Sequence, residues 1–271
     1  MQKKPKKITC TVGILTFNSE VHLERCLNSV KDFAEIVISD GGSTDKTLEI
    51  AKKYNCKIIQ QSNPGNKIED FSLERNRILD NISYDWFFYL DSDEIMSESL
   101  VDKIQLVTNK KVSNFLIYKV RYQLVDKTLN IHYKQFKNYY QTRLFNKRSG
   151  ARFKKKMHER IYFSDKYKIG IIDDPWFVTL EDNLDFEIYK RKVSYRIGVM
   201  VEEADISNLN VFLNRGLFIP FKEILKHIIK IIYVRIRYRG HDLIPLRYEF
   251  YRIYSQILMM KKMYQRFMRF S

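Results

Sequence analysis

The 271-residue chain is short of cysteine, of acidic charge and of long apolar runs, and each shortage closes off a class of protein. Its three cysteines, Cys10, Cys26 and Cys56, are odd in number and far apart, with no Cys-x-x-Cys spacing, which argues against a zinc site or a disulfide framework. They read as small buried hydrophobes in a reducing compartment. No run of 18 apolar residues occurs, which argues against a simple membrane span. The opening MQKKPKK and the apolar ITCTVGIL are followed by no small-residue cleavage site, so this start reads as a basic tail entering a first strand. Against 48 Lys and Arg stand 32 Asp and Glu, a net +16 that calls for an anionic partner: nucleic acid, a phosphorylated ligand or an anionic membrane surface. What the chain has in quantity is apolar residues, 45%, enough to fill a core without staples.

One stretch organises the rest. Trp86 to Glu94, WFFYLDSDE, begins as an uninterrupted apolar run, the pattern of a strand buried on both faces, and ends in Asp91, Asp93 and Glu94. Ligands of open α/β sheets bind beyond the carboxyl ends of strands, and two carboxylates in a turn suit a hard cation such as Mg²⁺ or Mn²⁺ that bridges to phosphate. The residues alone leave open whether this is a metal-assisted nucleotide site or a polar turn with Asp as a helix cap.

Upstream, strands are predicted at Ile8 to Leu15, Glu35 to Ser39 and Lys57 to Gln61. Helices follow each, the first capped by Asn18-Ser19, the second by Ser43 or Thr44, the third running from about Asp70 to Ile82. Asp40-Gly41-Gly42 closes the second strand with glycines that permit a tight turn and close approach of a ligand. This β-α alternation predicts a Rossmann-like α/β fold, a mostly parallel sheet with helices on both faces and right-handed crossovers. Its ligand-facing ends gather Thr16-Phe17-Asn18, Asp40-Gly41-Gly42, the neighbourhood of Arg75 and Asp91-Ser92-Asp93.

ILTFNSEVHLERCLNSV, EIVISDGGSTDKTLEIAKKY, FSLERNRILD and DWFFYLDSDE, in this order and spacing, resemble the successive motifs of family 2 glycosyltransferases with the GT-A fold. QTRLFNK at 141–147 and MHERI at 157–161 are similar to elements of the branch that includes bacterial lipopolysaccharide core glucosyltransferases and bacteriocin peptide glycosyltransferases. More loosely, RGHDLIPLRYEF resembles a segment before the last helix of the lipopolysaccharide branch, without its second glycine.

The resemblance implies a nucleotide-sugar donor, a UDP-sugar by preference, and a metal-dependent, inverting transfer. It places Thr16, Phe17, Asn18, Asp40, Gly41, Arg75, Asp91 and Asp93 around the donor. Phe17 would pack on the base, or else in the core; Asp40 would accept from a base imide N–H, or else bond its own turn. Arg75 would bind the diphosphate or the base edge, or else be a solvated helix residue. Asp93 would ligate Mg²⁺ or Mn²⁺ directly and Asp91 would hold the ribose or act through water, while Glu94 would support the turn. Glu159 is the choice for the base that takes the acceptor proton, with His158 as a further metal ligand or a positioning group; the alternative is a structural His-Glu pair. Asp173-Asp174 and Glu181-Asp182 read as loop carboxylates and weaker rivals. One of Arg143, Arg152 and Lys154-Lys155-Lys156 is a candidate clamp for the leaving diphosphate.

From about Asp185 the pattern turns helical, giving an expected division into a catalytic domain, 1–184, and a helical region, 185–271. Phe186, Tyr189, Val193, Ile197 and Val201 share a helix face suited to covering the acceptor side. In the next helix Phe221, Ile224, Leu225, Ile228, Ile229 and Ile232 recur at helical spacing, with Lys222, Lys226 and Lys230 on another face. After Pro245 a helix with Tyr248, Tyr251 and Tyr254 runs to a Met-rich basic end at Arg269. Residues 221 to 271 hold twelve basic residues against three acidic, a balance of +9. Such helices suit an anionic membrane surface, or else pack on a partner. The expected acceptor is a cell-envelope glycan or lipid-linked saccharide reached from the cytoplasm, peripherally at the inner membrane face; the alternative is a peptide or protein. Specific nucleic-acid binding is disfavoured because the basic residues interleave with apolar ones.

Overall fold

The computed structural model describes residues 7–66, 68, 70–109, 115–155, 160–180, 186–202, 204 and 208–270. They form two compact units, 1–123 with 138–179 and 124–137 with 180–271.

In the first unit β1 (Ile8–Thr16), α1 (Glu20–Ser29), β2 (Phe33–Asp40), α2 (Thr47–Lys53), β3 (Lys57–Gln60), α3 (Phe71–Asp80) and β4 (Trp86–Asp91) alternate as expected. There follow β5 (Glu94–Met96), α4 (Glu98–Thr108), β6 (Ile117–Val125), β7 (Tyr139–Asn146), β8 (Arg152–Lys154), β9 (Arg160–Tyr162) and β10 (Ile169–Thr179). The sheet order is β3-β2-β1-β4-β7-β6-β10-β5, and β8 and β9 make a separate ribbon. The β3, β2, β1 and β4 neighbours are parallel, whereas β7 runs antiparallel to β4 and to β6. This is the α/β class and GT-A layout expected, with an antiparallel extension that the sequence pattern did not reveal.

Apolar alternation along β4 explains its central place. Trp86, Phe88 and Leu90 join a core with α1, α2 and α4 through Leu23, Cys26, Ala51, Leu100 and Ile104. Phe87 points to the opposite face, where Ile78 and Leu79 of α3 meet Phe145. Strands with two buried faces need this continuous apolar run.

The third helix starts where expected, at Asp70, which the structure shows to be its cap, the carboxylate accepting from Leu73 N at 3.0 Å. The other two caps differ. The helix after β2 begins only at Thr47, whose N–H is taken by Asp45 at 3.0 Å, because Ser43 and Thr44 are bonded to Asp40 and Asn18. Ser19 precedes α1, but its hydroxyl accepts from Phe17 N at 3.3 Å and caps no helical N–H.

The second unit contains α5 (Phe186–Glu202), α6 (Leu209–Phe212), a π-turn at Leu213–Phe218, α7 (Ile219–Arg237) and α8 (Leu246–Phe270). Val193, Ile197 and Val201 of α5 pack with Phe212 and Met263, so the face expected to cover the acceptor side forms this unit's own core. Phe212 stacks on Phe267 with centroids 4.4 Å apart, and Tyr189 on Tyr251 at 4.6 Å. Among the described residues no helix is long and apolar enough to cross a membrane.

Candidate active site

Register places three of the expected residues side by side. Thr16 pairs with Asp40, and Leu15 with Asp91, so the carboxyl ends of β2, β1 and β4 carry Asp40, Thr16 and Asp91 in a row. That edge is where parallel sheets receive ligands.

Backbone bonds continue past the strands and tie their loops together. Gly41 N donates to Thr16 O at 2.9 Å, and Gly65 N to Gly41 O at 2.7 Å. Asn18, held at φ 48°, donates its N–H to Ser43 Oγ at 2.9 Å and accepts from Thr44 N at 2.9 Å. Gly41 leaves no room for a side chain: an added Cβ would lie 2.9 Å from Gln61 Oε1 and 3.1 Å from the Phe17 ring. The Phe17 ring itself is 49% exposed beside that loop, so it is not core packing.

Asp40 is buried. One carboxylate oxygen accepts from Thr16 Oγ1 at 2.9 Å and Ser43 Oγ at 2.6 Å, the other from Gly42 N and Ser43 N, both at 2.8 Å. A carboxylate offers about four acceptor sites, so Asp40 builds its own turn, and a base N–H would have to displace one of these bonds.

Arg75 is equally buried, which removes the solvated-helix reading. Its guanidinium lies over Tyr89, 4.6 Å from the ring centre, and donates to Asp91 Oδ1 at 2.7 Å. Partial burial pushes the Asp91 carboxyl upward, but Arg75 and, behind it, Arg143 hold it below the usual carboxylate range. Ser92 Oγ reaches Ser19 Oγ at 3.1 Å, which moors the turn to the start of α1. Asp93 sits exposed at the tip of the turn.

Glu94 supports this turn from beneath, as expected. It accepts Asp91 N at 2.9 Å, Trp176 Nε1 at 3.0 Å and both terminal nitrogens of Arg143, at 2.7 and 3.0 Å. Burial pushes its carboxyl above the ordinary range against the pull of Arg143, and the Asp91 charge adds to the rise. Cys26 lies below Asp91, where burial and the neighbouring acids push its thiol well up, so it is an inert packing group.

Arg143 is therefore not a diphosphate clamp. It is buried, committed to Glu94, and sandwiched between Tyr89 and Trp176 at 4.3 and 4.4 Å. Arg152 pairs with Asp80 and Lys154 lies over Tyr162. Asp173 stands in β10, not in a loop; its carboxylate accepts from Tyr140 Oη at 2.6 Å and pairs with Arg121, whose Nε lies 3.2 Å from Oδ1 and donates to the Asp173 backbone oxygen at 2.7 Å. His158, Glu159, Lys156, Glu181 and Asp182 lie outside the described residues.

Two turn carboxylates supply the hard oxygen donors that Mg²⁺ or Mn²⁺ takes, and such ions are commonly held by one or two carboxylates plus substrate phosphates. Asp91 keeps 42% of its side chain exposed above the Arg75 bond, so the pair fits that mode. Among the described residues no cluster of three or more His, Cys, Asp or Glu forms a complete protein cage.

The sequence profile described as glycosyl transferase family 2 matches residues 11–179, the span that contains every element of this site. The chain belongs to glycosyl transferase family 2. It is similar to the SPbeta prophage-derived glycosyltransferase SunS of Bacillus subtilis (strain 168), 36% identical over 104 residues that cover 36% of this chain and 23% of that protein. It is also similar to an uncharacterized glycosyltransferase of Rickettsia bellii (strain RML369-C), 30% identical over 141 residues, 50% of this chain and 45% of that one. The matched stretches thus span less than half the length of these relatives. Among solved structures, that of S. aureus TarS 1–349 in complex with UDP-GlcNAc is 16% identical with a TM-score of 0.49, covering 94% of this chain and 89% of that one.

Within this family 2 chain, sequence reasoning overlooked the groups that sit one layer down. Glu74, buried in α3, accepts from Ser62 N at 3.0 Å and from the Ser62 hydroxyl, fixing the loop after β3. Gln61 Nε2 donates to Ser39 O at 3.0 Å beneath Gly41. A lone Arg inside the apolar end of YYQTRLFN was the one available signal that Arg143 is buried with a partner.

Proposed function

We propose that this chain is a metal-dependent, inverting glycosyltransferase that moves a sugar from a UDP-sugar to a cell-envelope glycan or lipid-linked saccharide. We assign it to the branch of the lipopolysaccharide core glucosyltransferases, acting from the cytoplasmic side. The observation that carries the reading is the Asp91-Ser92-Asp93 turn, projected at the carboxyl edge of the parallel strands that also carries the loop of the exposed Phe17, and held by Arg75 on Asp91 and by Arg143 through Glu94.

In this reading Phe17 stacks on the base, and the Gly41 loop, kept open by the missing side chain, forms the floor under it. Asp93 and Asp91 hold Mg²⁺ or Mn²⁺, which supplies Lewis-acid neutralisation of the departing diphosphate. Arg75 keeps Asp91 ionised and in place. Glu159 takes the proton of the acceptor hydroxyl as it attacks the anomeric carbon from the face opposite the leaving group, and His158 positions the diphosphate or adds a metal ligand.

The test is a thermal-shift screen of sugar nucleotides with and without Mn²⁺ on the wild type, Asp93→Ala and Glu159→Gln. A UDP-sugar should stabilise the wild type only with metal; Asp93→Ala should lose that response, whereas Glu159→Gln should keep it and lose transfer. No metal-dependent response to any nucleotide sugar overturns the reading.

A further inference from the structure

The second unit carries an apolar face that its own core does not use. Helix α7 turns its buried Pro220 and half-buried Ile224, His227, Ile231 and Val234 inward. On the opposite side Phe218, Phe221, Leu225, Ile229, Ile232 and Ile236 are each between 50% and 74% exposed. Their spacing, i, i+3, i+7, i+11, i+14 and i+18, keeps them on one straight stripe roughly 27 Å long at 1.5 Å per residue. An outward row of this kind, on a helix whose inward face is already packed, is surplus to folding.

The charges flanking the stripe select its partner. Lys222, Lys226, Lys230 and Arg237 project from one shoulder, and α7 contains a single acid, Glu223, already paired with Lys226 at 2.7 Å. A second copy packed stripe to stripe in the antiparallel sense would bring two such cationic shoulders together, which disfavours that mode of self-association. A bilayer bearing anionic headgroups satisfies both features at once: apolar side chains enter the acyl boundary and the ammonium groups stay at the phosphate level. The helix does not meet the requirements of a span, so it would lie in the interface plane.

We propose that the outward stripe of α7 is an interfacial docking face for an anionic lipid bilayer. The proposal is independent of the donor chemistry, since it is read without any sugar nucleotide. The full chain is sedimented with vesicles of phosphatidylcholine mixed with phosphatidylglycerol and with vesicles of phosphatidylcholine alone, and sedimentation velocity records its oligomeric state.

The wild type should bind the mixed vesicles at least tenfold more tightly than the neutral ones. Leu225→Asn/Ile229→Asn/Ile232→Asn, at exposed positions that spare the fold, should weaken binding to the mixed vesicles at least tenfold. Lys222→Gln/Lys226→Gln/Lys230→Gln should erase the preference for anionic lipid. Equal binding of the wild type to both vesicle types, or unchanged binding of the apolar variant, overturns the proposal. So does a wild-type dimer that the apolar variant dissociates in the absence of vesicle binding, which would assign the stripe to self-association.

Discussion

Arg143 meets Glu94 face to face, its two terminal nitrogens 2.7 and 3.0 Å from the two carboxylate oxygens, directly under the turn that carries Asp91 and Asp93. Both groups are buried, so removing one strands the other. Arg143→Met or Glu94→Leu alone should each lower stability by about 3–5 kcal/mol, and the double variant should cost less than their sum, because a buried pair is far less costly to replace than to break. Urea denaturation of the three variants measures this; simple additivity would show that the two side chains act separately.

Arg75 sets the titration of Asp91. A carboxyl held below its ordinary range contributes stability that is present above the unfolded-state value and is lost as pH falls through the lowered folded-state value. Arg75→Met removes the cause, so the stability gap between wild type and variant should be constant above about pH 5 and narrow progressively below about pH 4. Denaturant midpoints measured across that range provide the check, and a gap independent of pH would assign the loss to packing on Tyr89.

Phe17 is half exposed and contributes little to the core. Phe17→Ala should leave stability within about 0.5 kcal/mol of wild type. If its ring stacks on the base, nucleotide binding should weaken by about 1–3 kcal/mol, roughly 5- to 150-fold, in calorimetric titration with a UDP-sugar.

Gly42 and Gly65 form a matched comparison. Both have positive φ, 88° and 81°, but a Cβ on Gly42 would lie 2.9 Å from the Gly65 backbone nitrogen, whereas one on Gly65 would meet nothing within 4 Å. Gly65→Ala should cost only the left-handed backbone penalty of about 1–2 kcal/mol. Gly42→Ala should cost more and should also weaken nucleotide binding, because it pushes apart the loops that Gly41 joins.

The parallel half of the sheet was legible because each of its strands is a short apolar run bounded by turn residues, and β4 needed two buried faces. The antiparallel half was not, since β5, like β8 and β9 of the separate ribbon, is only three residues long, and it pairs with β10 across 80 or more residues of chain. Asp91 and Asp93 could be located from their position at the carboxyl end of β4 and just beyond it. The partners of Arg143 could not, because an arginine that binds phosphate and one that neutralises a buried carboxylate look alike until Glu94 and Trp176 are seen beside it. The start of α3 at Asp70 was legible because its cap bond is local; Ser43 and Thr44 do not cap α2 because Asp40 and Asn18 hold them.

The π-turn at Leu213–Phe218 holds about one more residue per turn than an α-helix, so everything after it lags by one position, roughly 100° of rotation. Phe212, before the turn, is stacked in the second unit's core, whereas Phe218, its last residue, and Phe221 beyond it face outward. A single-residue deletion in this segment acts as a phase shifter: it keeps every side chain of α7 but rotates the apolar row toward α8 and the lysines toward the former outward face.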